Sequence, residues 1–248
     1  MLKALLTLLL AGLLWAGSAR ATGLVADLSH HLIAITTAFS GTDVLLFGAV
    51  DQPPGDVAVV IKGPPEDETV RRKSRVGFVW LNTQELRFRD VPGYYAVASS
   101  RPLDEIAAPH VRQRHELGVE NLRLRLGAGE TADEAELAAF QRALIRNKQR
   151  QRLYSTDAGE VTFLGDTLFR TRLAFPANVP PGSYQVQVLQ FRNGSVVNAQ
   201  SSVLVISKVG LEAELYDVAQ QRAGLYGLGS ILLAIFAGWS ASVMFSKR

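Results

Sequence analysis

Hydrophobic and polar positions along this chain follow two periods in the interior, framed by two apolar runs that have none. Between residues 30 and 100 the apolar residues fall in short β-rich stretches: "HHLIAIT", "DVLLFGAV", "GDVAVVIKG", "RVGFVWLN", "LRFRDV" and "YYAVASS". Gly, Pro and Asp bound these stretches at the spacing of strands in a sandwich. The period then becomes helical. In "TADEAELAAFQRALIRNKQRQRLY", Leu137, Phe140 and Leu144 form a narrow apolar stripe, so one face is buried and the other wet. Thr131, with Glu134 three residues on, predicts a capping box. Asp133, Glu134 and Glu136 lie near the start, and Arg146, Lys148, Arg150 and Arg152 near the end, each placement complementing the helix dipole. Segment 102–117 also reads as helical, interrupted at Pro109, while "VENLRLRL" is ambiguous.

After Gly159 the alternation returns. Phe169, Thr171, Leu173 and Phe175 share one side of a strand, with Arg170 and Arg172 on the other. "PANVPPGSYQVQVLQFRNGSVV" predicts a turn, a strand and an Asn193-Gly194 hairpin, and "SSVLVISK" closes the set. Asn193-Gly194-Ser195 also matches a glycosylation sequon. Pro-Gly-Ser-Tyr184 ahead of an alternating strand resembles the tyrosine corner of immunoglobulin-like sandwiches, although a plain strand aromatic accounts for it as well. The later strands span too little chain for a core of their own, and the helices need an apolar surface to lie on. The expected architecture is therefore mainly β: an immunoglobulin-like antiparallel β-sandwich over 22–210, with a helical insertion at about 102–155. Two separate domains are the other arrangement open to this pattern.

The two framing runs carry targeting information. Lys3, an apolar run over 4–16 and Ala19-Arg20-Ala21 make the three regions of a secretory signal, residues 1–21, with Thr22 as the mature start. Residues 225–245 carry no charge, and as a helix at ~1.5 Å per residue they cover roughly the 30 Å of a bilayer core. Lys247 and Arg248 follow, while the flank before it is mainly acidic, so the tail 246–248 is placed in the cytoplasm and the body outside. "VGLEAELYDVAQQRAGLYG" predicts a juxtamembrane helix over 211–224, with Leu211, Leu215, Val218 and Arg222 along one side. Within the span, Ser230, Ala234, Gly238 and Ser242 recur every fourth residue. Such a stripe of small side chains either reflects ordinary membrane-helix composition or lets a partner helix or a second copy approach closely.

Charge changes meaning once these signals are set apart. The formal net charge is +3, but Lys3, Arg20, Lys247 and Arg248 belong to the terminal signals. Without those four, the 26 Lys and Arg fall just below the 23 Asp and Glu, so the body is slightly acidic and nucleic-acid partners are excluded. There is no cysteine, which excludes thiol redox chemistry, cysteine lipidation and Cys-based zinc sites.

Candidate chemistry is sparse. His30 and His31 are adjacent and point to opposite faces of a strand; His110 and His115 are five apart and leave the same face of a helix. Neither pair predicts a metal site. Met1 and Met244 are the only methionines, which disfavours copper(I) handling. No G-x-S-x-G, S-x-x-K or H-E-x-x-H occurs, and no cofactor or enzymatic role is expected. The carboxylates Asp104-Glu105 and Glu66-Asp67-Glu68 read as exposed, the second group in a solvated loop. The basic run "VRRKSR" beside it, with Arg71, Arg72, Lys73 and Arg75, is the candidate for binding an anion or lipid headgroups; otherwise it is part of the same loop.

"HLIAITTAFSGTDVLLFGAV", "GDVAVVIKGP", "GFVWLN", "PGYYAVASS", "FPANVPPGSYQVQVLQFRNG" and "LYGLGSILLAIFAGW" together resemble the uncharacterised family of putative transmembrane proteins of alphaproteobacteria. That resemblance implies a bacterial inner-membrane protein with a periplasmic body. It also implies an association with permeases of the sulfite or organosulfonate exporter type. The function expected on these grounds is a non-enzymatic, membrane-anchored accessory or assembly partner of a multi-span permease, or one that self-associates through its membrane helix. A tethered periplasmic anion-binding or sensing module is the alternative.

Overall fold

The computed structural model describes residues 23–51 and 55–209, together with 231, 234–236 and 238–240. In chain order its strands begin with β1 (Leu24–Leu28), β2 (Leu32–Ile35), β3 (Gly41–Val50), β4 (Asp56–Lys62), β5 (Pro65–Val76), β6 (Val79–Pro92) and β7 (Tyr95–Ser99). Helices α1 (Leu103–Ile106) and α2 (Pro109–His115) follow, then the two-residue strand β8 (Arg125–Leu126) and the long helix α3 (Glu134–Arg150). The chain returns to strands with β9 (Gly159–Glu160), β10 (Thr162–Leu164), β11 (Leu168–Pro176), β12 (Gly182–Arg192) and β13 (Ser195–Lys208).

These strands form three sheets: a four-stranded sheet in the order β1-β3-β11-β10, a six-stranded sheet β2-β13-β12-β4-β7-β9, and a separate β5-β6-β8 sheet. Pairing is antiparallel except for β2 with β13 and β7 with β9. The alternation read on β11 is realised: Phe169, Thr171, Leu173 and Phe175 are buried, and Arg170 and Arg172 are exposed. Such a period-2 pattern settles one face against a core and leaves the other wet. Across that core, the Phe175 ring of β11 meets the Tyr184 ring of β12 at 5.8 Å, edge to face. The first two sheets thus pack on one shared cluster.

Strand β4 is different. Val57, Ala58, Val59, Val60 and Ile61 are all buried, as expected only where layers cover both faces. Two neighbouring tyrosines identify the layers. Tyr94 stacks on Phe175 at 5.2 Å and donates its hydroxyl to the Ala174 carbonyl at 2.7 Å, on the four-stranded side. Tyr95 donates to the Glu116 carbonyl at 2.6 Å and accepts from the Gly118 N–H at 2.8 Å, on the side of the helical insertion. The insertion therefore lies against the six-stranded sheet.

Local signals explain the joints. Asn193 and Gly194 both adopt positive φ, 52° and 76°, between the paired Arg192 and Ser195, as a two-residue I′ hairpin turn requires. The buried Tyr184 hydroxyl donates to the Pro180 carbonyl at 2.5 Å, four residues upstream.

Three expectations need correction. The α3 cap is Asp133, not Thr131: its carboxylate accepts from the Glu136 N–H at 2.6 Å. Asp caps at least as well as Thr, and the later start leaves Ala132 free to pack against the core. Residues 65–76 are not a loop but strand β5, and the solvated-loop reading of Glu66-Asp67-Glu68 and "VRRKSR" falls with it. "RVGFVWLN" is not one strand either; it contains the end of β5, a turn and the start of β6. The signal 1–21, the juxtamembrane helix 211–224 and most of the span 225–245 lie outside the described residues. Among the described residues no helix is long and apolar enough to cross a membrane; the described positions 231, 234–236 and 238–240 are helical.

Candidate functional site: the projecting hairpin

The third sheet is built around one turn. Val76 pairs with Val79, so Gly77 and Phe78 alone connect β5 to β6, and Gly77 has φ +64° at the first central position. Glycine is the residue that supplies this conformation in a II′-type hairpin. From the turn the register runs back through Arg75 opposite Trp80, Ser74 opposite Leu81, Lys73 opposite Asn82 and Arg71 opposite Glu85. It slips twice, between Arg72 and Lys73 and between Glu66 and Glu68. Opposite the second slip, Asp90 takes φ 55°, the left-handed geometry that a bulge imposes. Bulges raise local twist and spoil the ribbon as a template for edge-to-edge pairing.

Burial divides the hairpin into a root and an arm. Val70, Leu86, Phe88 and Val91 are buried at the root. Beyond them every residue from Val79 to Glu85 is exposed, so both faces of the ribbon are in solvent. At ~3.3 Å per residue the five steps from Arg71 to Val76 reach roughly 17 Å. The tip is apolar: Phe78 is 96% exposed, Trp80 65%, Val79 57% and Leu81 49%.

Helix α3 braces the root. The Lys148 side chain is only 6% exposed, and its ammonium sits 2.5 Å from Glu68 Oε1 and 3.4 Å from Glu66 Oε2. Arg72 lies over the Phe140 ring, 5.1 Å from its centre, a cation–π contact from β5 to α3. Tyr154 donates to the Pro92 carbonyl at 2.8 Å, tying the chain after α3 to the base of β6. Burial, with the Glu68 and Glu66 carboxylates beside it, pushes the Tyr154 phenol well above its ordinary range. Strand β8 adds a short third strand through Phe88–Leu126 and Arg89–Arg125.

The candidate cations all fall on this hairpin but do not converge. Arg71 pairs with Glu85 at 3.1 Å, Arg72 donates to Gln84 at 3.0 Å and faces α3, and Arg75 Nε donates to the Gly77 carbonyl at 3.0 Å. Lys73 lies between them on the exposed ribbon. They form a charged stem below the apolar tip, not a pocket. Of the stripe proposed for helix packing, Ala234 and Gly238 are helical, and Ser230 and Ser242 lie outside the described residues.

The histidines are dispersed. His30 contacts Ser29 at 3.0 Å and His31 contacts Asp27 at 3.0 Å, both on the surface. His110 and His115 sit on α2, where burial, with Arg114 and Lys62 nearby, holds the His115 imidazole below its ordinary range. Lys62 itself touches Glu116, yet burial, with Arg123 nearby, keeps its ammonium below the usual lysine range. Among the described residues no three His, Asp or Glu side chains are grouped to hold a metal ion.

The sequence also hid a cleft of about 350 Å³ between the six-stranded sheet and β11, with Ile61, Tyr94 and Leu173 in its wall and Arg152, Asp157 and Arg172 among its polar lining. Arg152 has φ 60°, and its N–H donates to the Gln149 carbonyl, so its conformation belongs to the helix stop of α3. Two signals could have found the arm in the sequence: a glycine interrupting "RVGFVWLN", and a basic run abutting an apolar one. The burial of Lys148 had none.

A mainly β, multi-sheet body carrying a braced, apolar-tipped arm is the class this structure defines. The family model described as "Putative transmembrane protein (Alph_Pro_TM)" matches residues 23–247, and the chain belongs to that family. No curated protein and no solved structure matches the chain.

Proposed function

We propose that this is a non-enzymatic, membrane-tethered accessory protein, an assembly partner of a multi-span permease in the bacterial inner membrane, with its body in the periplasm. The single observation that carries this reading is the arm. Four consecutive exposed apolar residues, Phe78 to Leu81, end a ribbon that is fixed at its root by Lys148 and Arg72. A contiguous apolar patch held clear of the body is a docking surface, since soluble surfaces seldom maintain one without use. A helix over 225–245 would hold this arm at high effective concentration beside the bilayer. The Tyr184 corner supports an immunoglobulin-like reading of the two packed sheets.

Crosslinking of the full chain in native membranes, read by mass spectrometry, tests the proposal. A multi-span membrane protein, of the small-anion exporter type suggested by the family resemblance, should be recovered, and Phe78→Ser should reduce its yield. A body that crosslinks only to itself, with or without Phe78, overturns it.

The second reading, a tethered anion-binding module, is favoured by the cleft lined by Arg152 and Arg172, not by Arg71 to Arg75. A thermal-shift screen of the detergent-solubilised protein against sulfite, sulfate and sulfonates checks it. A ligand at a hundred times its Kd stabilises by about 2.7 kcal/mol, and Arg152→Ala with Arg172→Ala should abolish that shift.

A further inference from the structure

The arm presents its chemistry in order of depth. Phe78 and Val79 come first, then Trp80 opposite Arg75, then Lys73 opposite Asn82, then Arg72 and Arg71. Between Thr69 and Gln84 there are four cations and no carboxylate, although the body as a whole is slightly acidic. A bilayer has the complementary order: hydrocarbon, an interfacial zone that favours Trp, then headgroups that in anionic lipids carry negative charge. We infer that the hairpin tip, Phe78 to Leu81, inserts into the interface of an anionic bilayer while Lys73 and Arg75 engage its headgroups. This rests on the tethered reading above and names the surface that the arm meets.

Dimensions agree. Interfacial segments bury their apolar parts roughly 5–10 Å deep, and the tip from Val79 to Leu81 extends about 7 Å at the strand rise of ~3.3 Å per residue. That depth leaves Lys73 at the headgroup level, and Arg75, level with Trp80, reaches it by the length of its side chain. Both faces of the arm are wet and its apolar surface is confined to a convex end, a shape that suits a planar interface. The brace of Lys148 on Glu66 and Glu68 then has a consequence for the body. With the C-terminal span as one attachment and the tip as another, the body is fixed in orientation instead of pivoting about a single helix.

The test uses the full chain with Trp15→Phe and Trp239→Phe, so that Trp80 reports alone. It is reconstituted into nanodiscs of phosphatidylcholine, with or without phosphatidylglycerol, and probed with lipids brominated high on their acyl chains. In anionic discs, Trp80 emission should shift to the blue and be quenched by bromolipid, with both effects lost in phosphatidylcholine alone or at high salt. Lys73→Ser and Arg75→Ser should each move the docked equilibrium about five-fold toward the free arm, and Phe78→Ser should abolish quenching. Water-like Trp80 emission, open to iodide in anionic discs, overturns the inference. If that result came with loss of crosslinks on Phe78→Ser in native membranes, the tip would meet a protein and the accessory reading would stand. Bromolipid quenching without any crosslinked partner would instead uphold insertion and overturn the accessory reading.

Discussion

Two phenylalanines of this protein, one on a strand and one in the turn between two strands, have opposite fates. Phe169 on β11 is 1% exposed, while Phe78 at the end of the third sheet is 96% exposed. Both adjoin β-forming residues with arginines nearby, and local sequence separates them poorly. The difference is in what lies across from them. Strand β11 is one layer of a pair: Phe175, on the same buried face as Phe169, meets Tyr184 of the facing six-stranded sheet at 5.8 Å. The arm has no second layer beyond its root. Burial is a property of the opposing layer, and an apolar residue without one is available for something outside the molecule.

The sharpest way to break this comparison is to truncate both rings. Phe169→Ala should cost about 3–5 kcal/mol, the transfer term plus a cavity, whereas Phe78→Ala should stay within about 0.5 kcal/mol. Denaturant unfolding of the full chain in detergent measures both, and equal losses would mean that the arm is packed. Next in size is the brace. Lys148→Ala should destabilise by about 2–3 kcal/mol, less than the ~3–5 kcal/mol of breaking a fully buried pair, because Glu66 and Glu68 remain about a third exposed. Adding Glu66→Gln and Glu68→Gln should restore much of that stability if two uncompensated carboxylates are the cause.

A smaller effect belongs to the two packed sheets. Tyr184→Phe removes the donor to the Pro180 carbonyl and should cost about 1 kcal/mol. The smallest effect is electrostatic. The Asp56 carboxyl is held below its ordinary range chiefly by the Arg101 hydrogen bond, against an opposing contribution from burial. A lowered folded pKa means stabilisation that is present above the ordinary Asp value of ~3.9 and is lost as pH falls through the folded value. The Tm difference between wild type and Asp56→Asn should therefore shrink on acidification; a difference that grows in acid would reverse the assignment.

Much of the two packed sheets was legible because their signals are local. Alternation on 168–176, Asn-Gly at 193–194 and the Pro-Gly-Ser-Tyr184 sequence each specify a geometry within a few residues. The strand character of 65–76 was not legible, since a ribbon solvated on both faces has no apolar periodicity to read. Its strand character comes from pairing with β6 and from the Gly77 turn. The four cations all fall on one hairpin, and their spread along a stem, instead of around a pocket, depended on that pairing.

Sequence alone determined the β–α–β order of the chain, the hairpin turn at Asn193-Gly194 and the apolar face of α3, because propensity, turn chemistry and periodicity act over a few residues. Only the tertiary structure decided that Lys148 is buried between two glutamates, that β4 is covered on both sides and that Phe78 is not covered at all. Those outcomes depend on which distant segment lies opposite, and no short stretch of sequence carries that information.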